Sequence, residues 1–312
     1  MKVLVIVVTY NGAKWIDKCF GSLTSSSIPV NILAVDNGST DDSIMLIKNR
    51  FPSVEVIETK ENLGFGKANN IGLKRAVAEN VDYVFLLNQD AWIETDTISK
   101  CISAAVENSK YGVLSPMHFN WDGNKVDGYF LEMVNPDNCK DFLSDLILSK
   151  SKTTYKVHFI HAACWLITSD CLKKVGGFDP LFPHYGEDND YIERATFYKF
   201  DTAIVSSTIV YHGGFSHIVR SEKFEIYMAL IRAKLQLKTI QNSLIVNYIL
   251  FFKHRFDEIT TFLILLKFKK ALNTFKLLVK ATLSLGLVKK SRKISKSRLA
   301  FLDINHFKKE RL

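Results

Sequence analysis

Four short polar clusters hold most of the residue types that could do chemistry in this chain of 312 residues: Thr9-Tyr10-Asn11-Gly12, Asp36-Asn37-Gly38-Ser39, Asn62-Leu63-Gly64-Phe65-Gly66 and Asn88-Gln89-Asp90. Taken singly, each is ordinary turn or helix-start material. Together they offer an aromatic ring to stack on a base, a carboxylate for base or ribose donors, glycines that permit close backbone approach, and an acid able to hold a cation. Further along, Glu187-Asp188 and Asp190 form an acidic run, and His212 opens His-Gly-Gly-Phe-Ser.

The elements that must position these residues are legible as apolar runs. Val3–Val8, Ile32–Val35, Val54–Ile57 and Tyr83–Leu87 read as strands, and each of the four clusters follows one of them. Helical periodicity intervenes after Ser39-Thr40-Asp41-Asp42, over Ala68 to Val77 and over Thr97 to Val106. Strands alternating with helices imply βαβ units and a mainly parallel sheet, whose ligands bind beyond the carboxyl ends of the strands. Phe119 to Lys156 is rich in turn formers and reads as an insertion or flexible cover. Val157–Phe159, Ala162–Thr168 and Ala203–Tyr211 read as strands and Asp188 to Tyr198 as a helix; everything beyond Ser221 is helical in pattern.

Charge divides the chain unevenly. Residues 1–218 carry 20 Lys/Arg against 26 Asp/Glu, whereas 219–312 carry 21 against 6. An acidic-leaning body with a basic tail predicts an anionic partner for the tail. Five cysteines without a C-x-x-C pair suggest neither a disulfide framework nor a zinc site, and fit a reducing cytosol. No window approaches the ~18 apolar residues of a spanning helix.

The ordered motifs VVTYNG, VDNGSTDDS, NLGFGKANNIGL, LLNQDAWI and GGFDPLFPHYGEDND resemble the family 2 glycosyltransferases, over roughly Lys2 to His217. That resemblance implies a GT-A fold, with a catalytic domain over 1–218 (nucleotide half 1–118, acceptor half 119–218) and a helical extension over 219–312. It implies that Thr9, Tyr10, Asn11 and Asp36 hold base and ribose, and that Gly64, Gly66 and Asn70 lie against the nucleotide. Asp90 would bind a divalent cation, Mg2+ or Mn2+, that bridges the donor diphosphate. The motif's first aspartate is Asn88 here, leaving one carboxylate, which suits a hard cation completed by substrate phosphates. His212 matches a position that in some members joins the metal, with His217 a weaker substitute. Asp188 takes the catalytic base, Glu187 the acceptor or the tuning of Asp188, and Asp190 a structural role. Trp165 is either a sugar-stacking ring or a core tryptophan. The plain structural readings are a helix N-cap at Asp90 and a dipole-favoured acidic helix start at Glu187-Asp188.

The implied reaction is inverting transfer of a hexose or deoxyhexose from a UDP- or dTDP-sugar to a glycan or lipid-linked hydroxyl, in bacterial surface polysaccharide synthesis. The alternative of a different class is a catalytically silent nucleotide-sugar binder or membrane scaffold. A Gly-rich nucleotidyltransferase loop, a dinucleotide fingerprint, a P-loop and any nucleic-acid recognition motif are all absent. In the tail, Phe268, Leu272, Phe275 and Val279 form an apolar stripe beside Lys269, Lys276 and Lys280. That pattern predicts an amphipathic helix on an anionic membrane, at its inner face, or alternatively a packed cap or a homodimer contact.

Overall fold

The computed structural model describes residues 1–213 and 221–302. The first strands, β1 (Val3–Thr9), β2 (Asn31–Asp36), β3 (Glu55–Glu58) and β4 (Tyr83–Asn88), alternate with α1 (Ile16–Thr24), α2 (Ser43–Arg50) and α3 (Phe65–Ala78). There follow β5 (Ala91–Ile93), α4 (Thr97–Glu107), β6 (Tyr111–Asn120), α5 (Gly128–Met133), α6 (Phe142–Ile147), β7 (Thr154–Val157), β8 (Cys164–Thr168), α7 (Ser169–Val175), α8 (Glu187–Phe197) and β9 (Asp201–His212). The C-terminal region holds α9 (Glu222–Lys238), α10 (Leu244–Ile264), α11 (Phe268–Leu283) and α12 (Leu285–Ser295).

One sheet of order β3-β2-β1-β4-β8-β6-β9-β5, with β7 added on β9, runs through residues 3–212. Strand β1 shows why it forms. Successive side chains face opposite sides, so Leu4 and Ile6 enter one core while Val3, Val5 and Val7 enter the other. A strand covered on both faces needs a continuous apolar run of β-branched residues, and Val-Leu-Val-Ile-Val-Val supplies one. The parallel expectation holds for β3-β2-β1-β4. The second half is mixed, since β8 runs antiparallel to both β4 and β6 while β6 and β9 are parallel.

The stretch expected to be an irregular insertion is more ordered than its turn formers suggest. Its start belongs to β6, a central strand whose Ser115 and His118 are fully buried and hydrogen-bonded to each other at 2.8 Å. Helix α5 is capped by Asp127, which accepts from Phe130 N at 2.9 Å. The strand expected at Val157–Phe159 lies earlier, at β7, because it adds to the edge of β9 from Thr154 to Val157.

The C-terminal helices are tied to α8 and the segment before it by a buried ionic network. Lys238 at the end of α9 pairs with Asp190 of α8 and, at 3.2 Å, with Asp179. Asp190 also binds Arg194 at 2.8 Å, and Arg194 donates to the carbonyls of Val175 and Gly177 at 2.7 Å. From α12, Ser291 donates to Asp179, and Arg292 donates to the Lys238 carbonyl at 3.0 Å. All four charged side chains of the Asp179–Lys238–Asp190–Arg194 chain are at most 2% exposed, so each is compensated where an unpaired charge would be costly. Among the described residues no single helix is long and apolar enough to cross a membrane; α11 and α12 reach that length only as a pair bent by 55°.

Candidate active site

The site is assembled where the carboxyl ends of β1, β2 and β4 meet. Parallel register places Thr9 beside Asp36 and Val8 beside Asn88. Thr9 donates to Asp36 Oδ1 at 2.9 Å, while Ser39 donates through its hydroxyl to Oδ1 at 2.6 Å and through its backbone N–H to Oδ2 at 2.8 Å. Thr9 and Asp36 are fully buried, so they shape the loop and leave Tyr10 and Asn11 as its exposed members. Asn11, with φ +46, accepts from Thr40 N at 2.8 Å and ties the two loops together.

Gln89, which the motif reading passed over, clamps this loop. Its Oε1 accepts from Tyr10 N at 2.9 Å and its Nε2 donates to Tyr10 O at 3.0 Å. Gly12 makes the clamp feasible, because a Cβ there would lie 2.1 Å from Gln89 Oε1.

Asp90 precedes strand β5, not a helix, which removes the N-cap reading. The antiparallel pairing of Ala91 with His212 brings β9 alongside it, and His212 Nε2 stands 3.4 Å from Asp90 Oδ1. Asn88 Nδ2 lies 3.4 Å from the same ring nitrogen. Burial alone would raise the Asp90 carboxyl, but the His212 hydrogen bond and charge hold it below the usual carboxylate range. His161 packs beside His212, with ring centroids 5.8 Å apart, and burial pushes it down to about 3, with the His212 charge adding to the effect. His217 lies outside the described residues.

Asn88 and His212 line a cavity of about 410 Å³ that is also lined by Glu187 and Asp188. The acidic pair opens α8 after Gly186, whose φ of +88 lies in the left-handed region and whose Cβ, if present, would lie 2.6 Å from Ile231 Cγ2. Burial raises Asp188 to about 6, against the backbone N–H groups of Asn189, Ala162 and Gly186, which pull it down. Burial raises Glu187 to about 8, with the Asp188 charge adding to it. Glu187 Oε2 has no hydrogen-bond partner among the described residues. Aromatic and thioether walls come from Phe65, Tyr129, Met133, Phe159 and Tyr185, and helix α9 contributes Phe224, Met228 and Arg232. No ion pair of Arg232 is found among the described residues. No local motif marks these α9 residues; only the long-range docking of α9 brings them to the cavity.

Two expected substrate contacts, Asn70 and Trp165, face protein instead. Asn70 donates to Phe178 O at 2.8 Å and accepts from Phe178 N at 2.7 Å, which occupies its amide and ties α3 to the segment before α8. Gly64 and Gly66 allow the same close approach, since Cβ atoms there would lie 2.6 Å from Pro183 O and 3.0 Å from Phe178 Cβ. Trp165 is corrected to a core residue. It is fully buried on β8 and packs on Phe178 and Tyr191 at centroid distances of 6.2 and 5.7 Å, away from the cavity lining.

The profile described as Glycosyl transferase family 2 matches residues 4–176, and the chain belongs to that family. Among curated relatives, the N-acetylglucosaminyl-diphospho-decaprenol L-rhamnosyltransferase of Mycobacterium tuberculosis is 26% identical over 211 residues, spanning 61% of this chain and 69% of that one. The poly(ribitol-phosphate) beta-N-acetylglucosaminyltransferase TarS of Staphylococcus aureus is 32% identical over 105 residues, spanning 31% of this chain and 18% of that one. Among solved structures, S. aureus TarS 1-349 in complex with UDP-GlcNAc superposes with a TM-score of 0.56 at 21% identity, covering 79% of this chain and 69% of that one. The mannosyltransferase PcManGT from Pyrobaculum calidifontis, in complex with GDP-Man and Mn2+, gives 0.54 at 15% identity and covers 98% and 84%. These likenesses show the GT-A fold.

Proposed function

We propose that the chain transfers one sugar from a UDP- or dTDP-sugar to a hydroxyl of a glycan or lipid-linked acceptor, with inversion at the anomeric carbon. The observation that carries this reading is the meeting of the Asp188 carboxylate and the Asp90–His212 pair, through His212, on one cavity. A binder without chemistry needs no carboxylate in that place.

A divalent cation fits the donor set beside β4 and β9. Among the described residues no group of three or more His, Cys, Asp or Glu could hold a metal unaided. One carboxylate and one imidazole, completed by substrate phosphates and water, suit Mg2+ or Mn2+, and Asp90 is kept ionised for the purpose. Bound there, the cation supplies neutralisation of the charge that develops on the leaving diphosphate.

The chain's own residues do the rest. Tyr10 and Asn11 present the loop for the base, held by Gln89 and Asp36. Arg232 adds positive charge within the cavity for phosphate oxygens. Asp188 accepts the proton of the acceptor hydroxyl as the acceptor oxygen bonds to the anomeric carbon and the bond to the diphosphate breaks. The diphosphate leaves without a proton, so a single carboxylate base suffices. Glu187, neutral at pH 7 with its carboxyl raised to about 8, donates a hydrogen bond to a sugar hydroxyl while leaving Asp188 the only charge of the pair.

The test is Asp188→Asn. Transfer is expected to fall by about 10²–10⁴, while donor affinity by calorimetry stays within a few-fold. Turnover at the wild-type level would remove Asp188 from the reaction.

A further inference from the structure

The described surface of residues 1–213 exposes large apolar side chains mostly singly or in short groups, but the turn between α10 and α11 does not. There Leu263, Ile264, Leu265, Leu266 and Phe268 are 45%, 80%, 53%, 73% and 63% exposed. Four of them are consecutive and only Lys267 separates them from Phe268, so they form one apolar knob at the end of a helical hairpin. Scattered exposed leucines need no explanation, whereas a contiguous patch marks a surface that is covered in use.

The backbone shows that the knob is a formed structure. Lys267 N donates to Phe262 O at 2.7 Å and Leu266 N to Leu263 O at 3.0 Å, the paired bonds that close a helix with a left-handed residue after its cap. That left-handed residue is Leu266, at φ +54. Glycine takes such a position without steric cost, and a leucine does not. Here a large apolar side chain stands in the strained position and points into solvent.

Charge selects the occupant. Between residues 244 and 293 there are eleven Lys/Arg and two Asp/Glu. Lys267 interrupts the knob and Lys270 follows it, both exposed, and Lys269 reaches Glu222 of α9 at 2.9 Å. A second copy meeting the first through this face would bring like charge against like charge. An anionic lipid surface offers both an apolar interior for the knob and phosphates for the lysines.

We propose that the α10–α11 turn is a bilayer-docking element, in which Ile264, Leu265, Leu266 and Phe268 enter the acyl boundary of an anionic leaflet and Lys267 and Lys270 sit at its phosphates. This differs from the amphipathic helix expected from the sequence, because the deepest contact is the turn and not the stripe of α11. It deepens, and in part rests on, the reading of a lipid-linked acceptor. Helix α9 packs against both α10 and α11 and also lines the cavity, so the knob and the site share one support.

The experiment is flotation of the full chain with phosphatidylglycerol-containing vesicles and with pure phosphatidylcholine vesicles. It compares wild type with Ile264→Asp/Leu266→Asp and with Lys267→Glu/Lys270→Glu. All substituted side chains are exposed, and an unchanged melting temperature confirms folding. Wild type is expected to float with anionic vesicles, the aspartate pair to bind roughly tenfold more weakly, and the glutamate pair to lose the preference for anionic lipid. Equal flotation of the aspartate pair and wild type overturns the proposal. So does a wild-type dimer that ignores vesicles and becomes monomeric in the aspartate pair, which assigns the knob to a second copy. Transfer to a water-soluble acceptor, measured in parallel, separates the two readings: vesicle binding without transfer by wild type refutes the enzyme reading and leaves the docking element standing.

Discussion

At the scale of single residues, the environment separates two neighbouring carboxyls. Glu187, buried, and Asp188, half-buried, share one helix start, yet Asp188 receives backbone N–H groups while Glu187 Oε2 receives none. Asp188 therefore ionises first. A base works only when ionised, so kcat should climb with pH through about 6 and level off above pH 7, losing activity tenfold per unit on the acid side. Glu187→Gln imitates the protonated acid already present where Asp188 titrates, and should leave that acid limb in place. A limb near the ordinary aspartate value in wild type would show that Asp188 is not the base. The motif resemblance marked Asp188, Asp90 and His212 as residue types, and the structure gathers their side chains or immediate partners around one cavity. It could not mark Gln89, whose importance lies in a two-point clamp on Tyr10 across the sheet edge.

At the scale of elements, legibility followed the range of the forces involved. Strands β1, β2 and β4 were readable because burial on both faces demands nearly uninterrupted apolar runs, a purely local signal, whereas the edge strand β3 shows only Val56-Ile57 between exposed glutamates. Strand β6 was not, since Ser115, Pro116 and His118 interrupt its pattern and its existence depends on pairing with β8 and β9. Trp165 is ambiguous for a related reason: a strand residue beside a site can face the ligand or the core, and only the packing of Phe178 and Tyr191 decides it. The basic tail likewise concealed a division of labour. Lys238 and Arg292 are buried, one in the ionic chain on α8 and the other against the end of α9, while the lysines of α11 face solvent. Lys238→Ala should leave Asp179 and Asp190 short of a cation in the interior and lower stability by about 3–5 kcal/mol, read as a fall in the urea midpoint. A loss under about 1 kcal/mol, the size expected of exposed pairs, would mean the network is wet.

At the scale of the whole molecule, two halves of unlike construction are joined by the antiparallel pairing of β4 with β8. The parallel half arranges loops at strand ends, the mixed half brings β9 and its histidine back beside β4, and α9 closes the cavity wall from outside the family-matched region. A chain cut at residue 218 would therefore lack Phe224, Met228 and Arg232 from the cavity, and would leave Asp190 with Arg194 but without Lys238. The claim underlying all of this is that cation and base face each other across one cavity. Anomalous diffraction from crystals soaked with Mn2+ and UDP tests it most directly. A single strong Mn2+ peak bonded to Asp90 and His212 is expected, with the nucleotide diphosphate reaching it in the cavity that Asp188 lines. Mn2+ and diphosphate bound away from Asp90, or separated from Asp188 by the sheet, would contradict it.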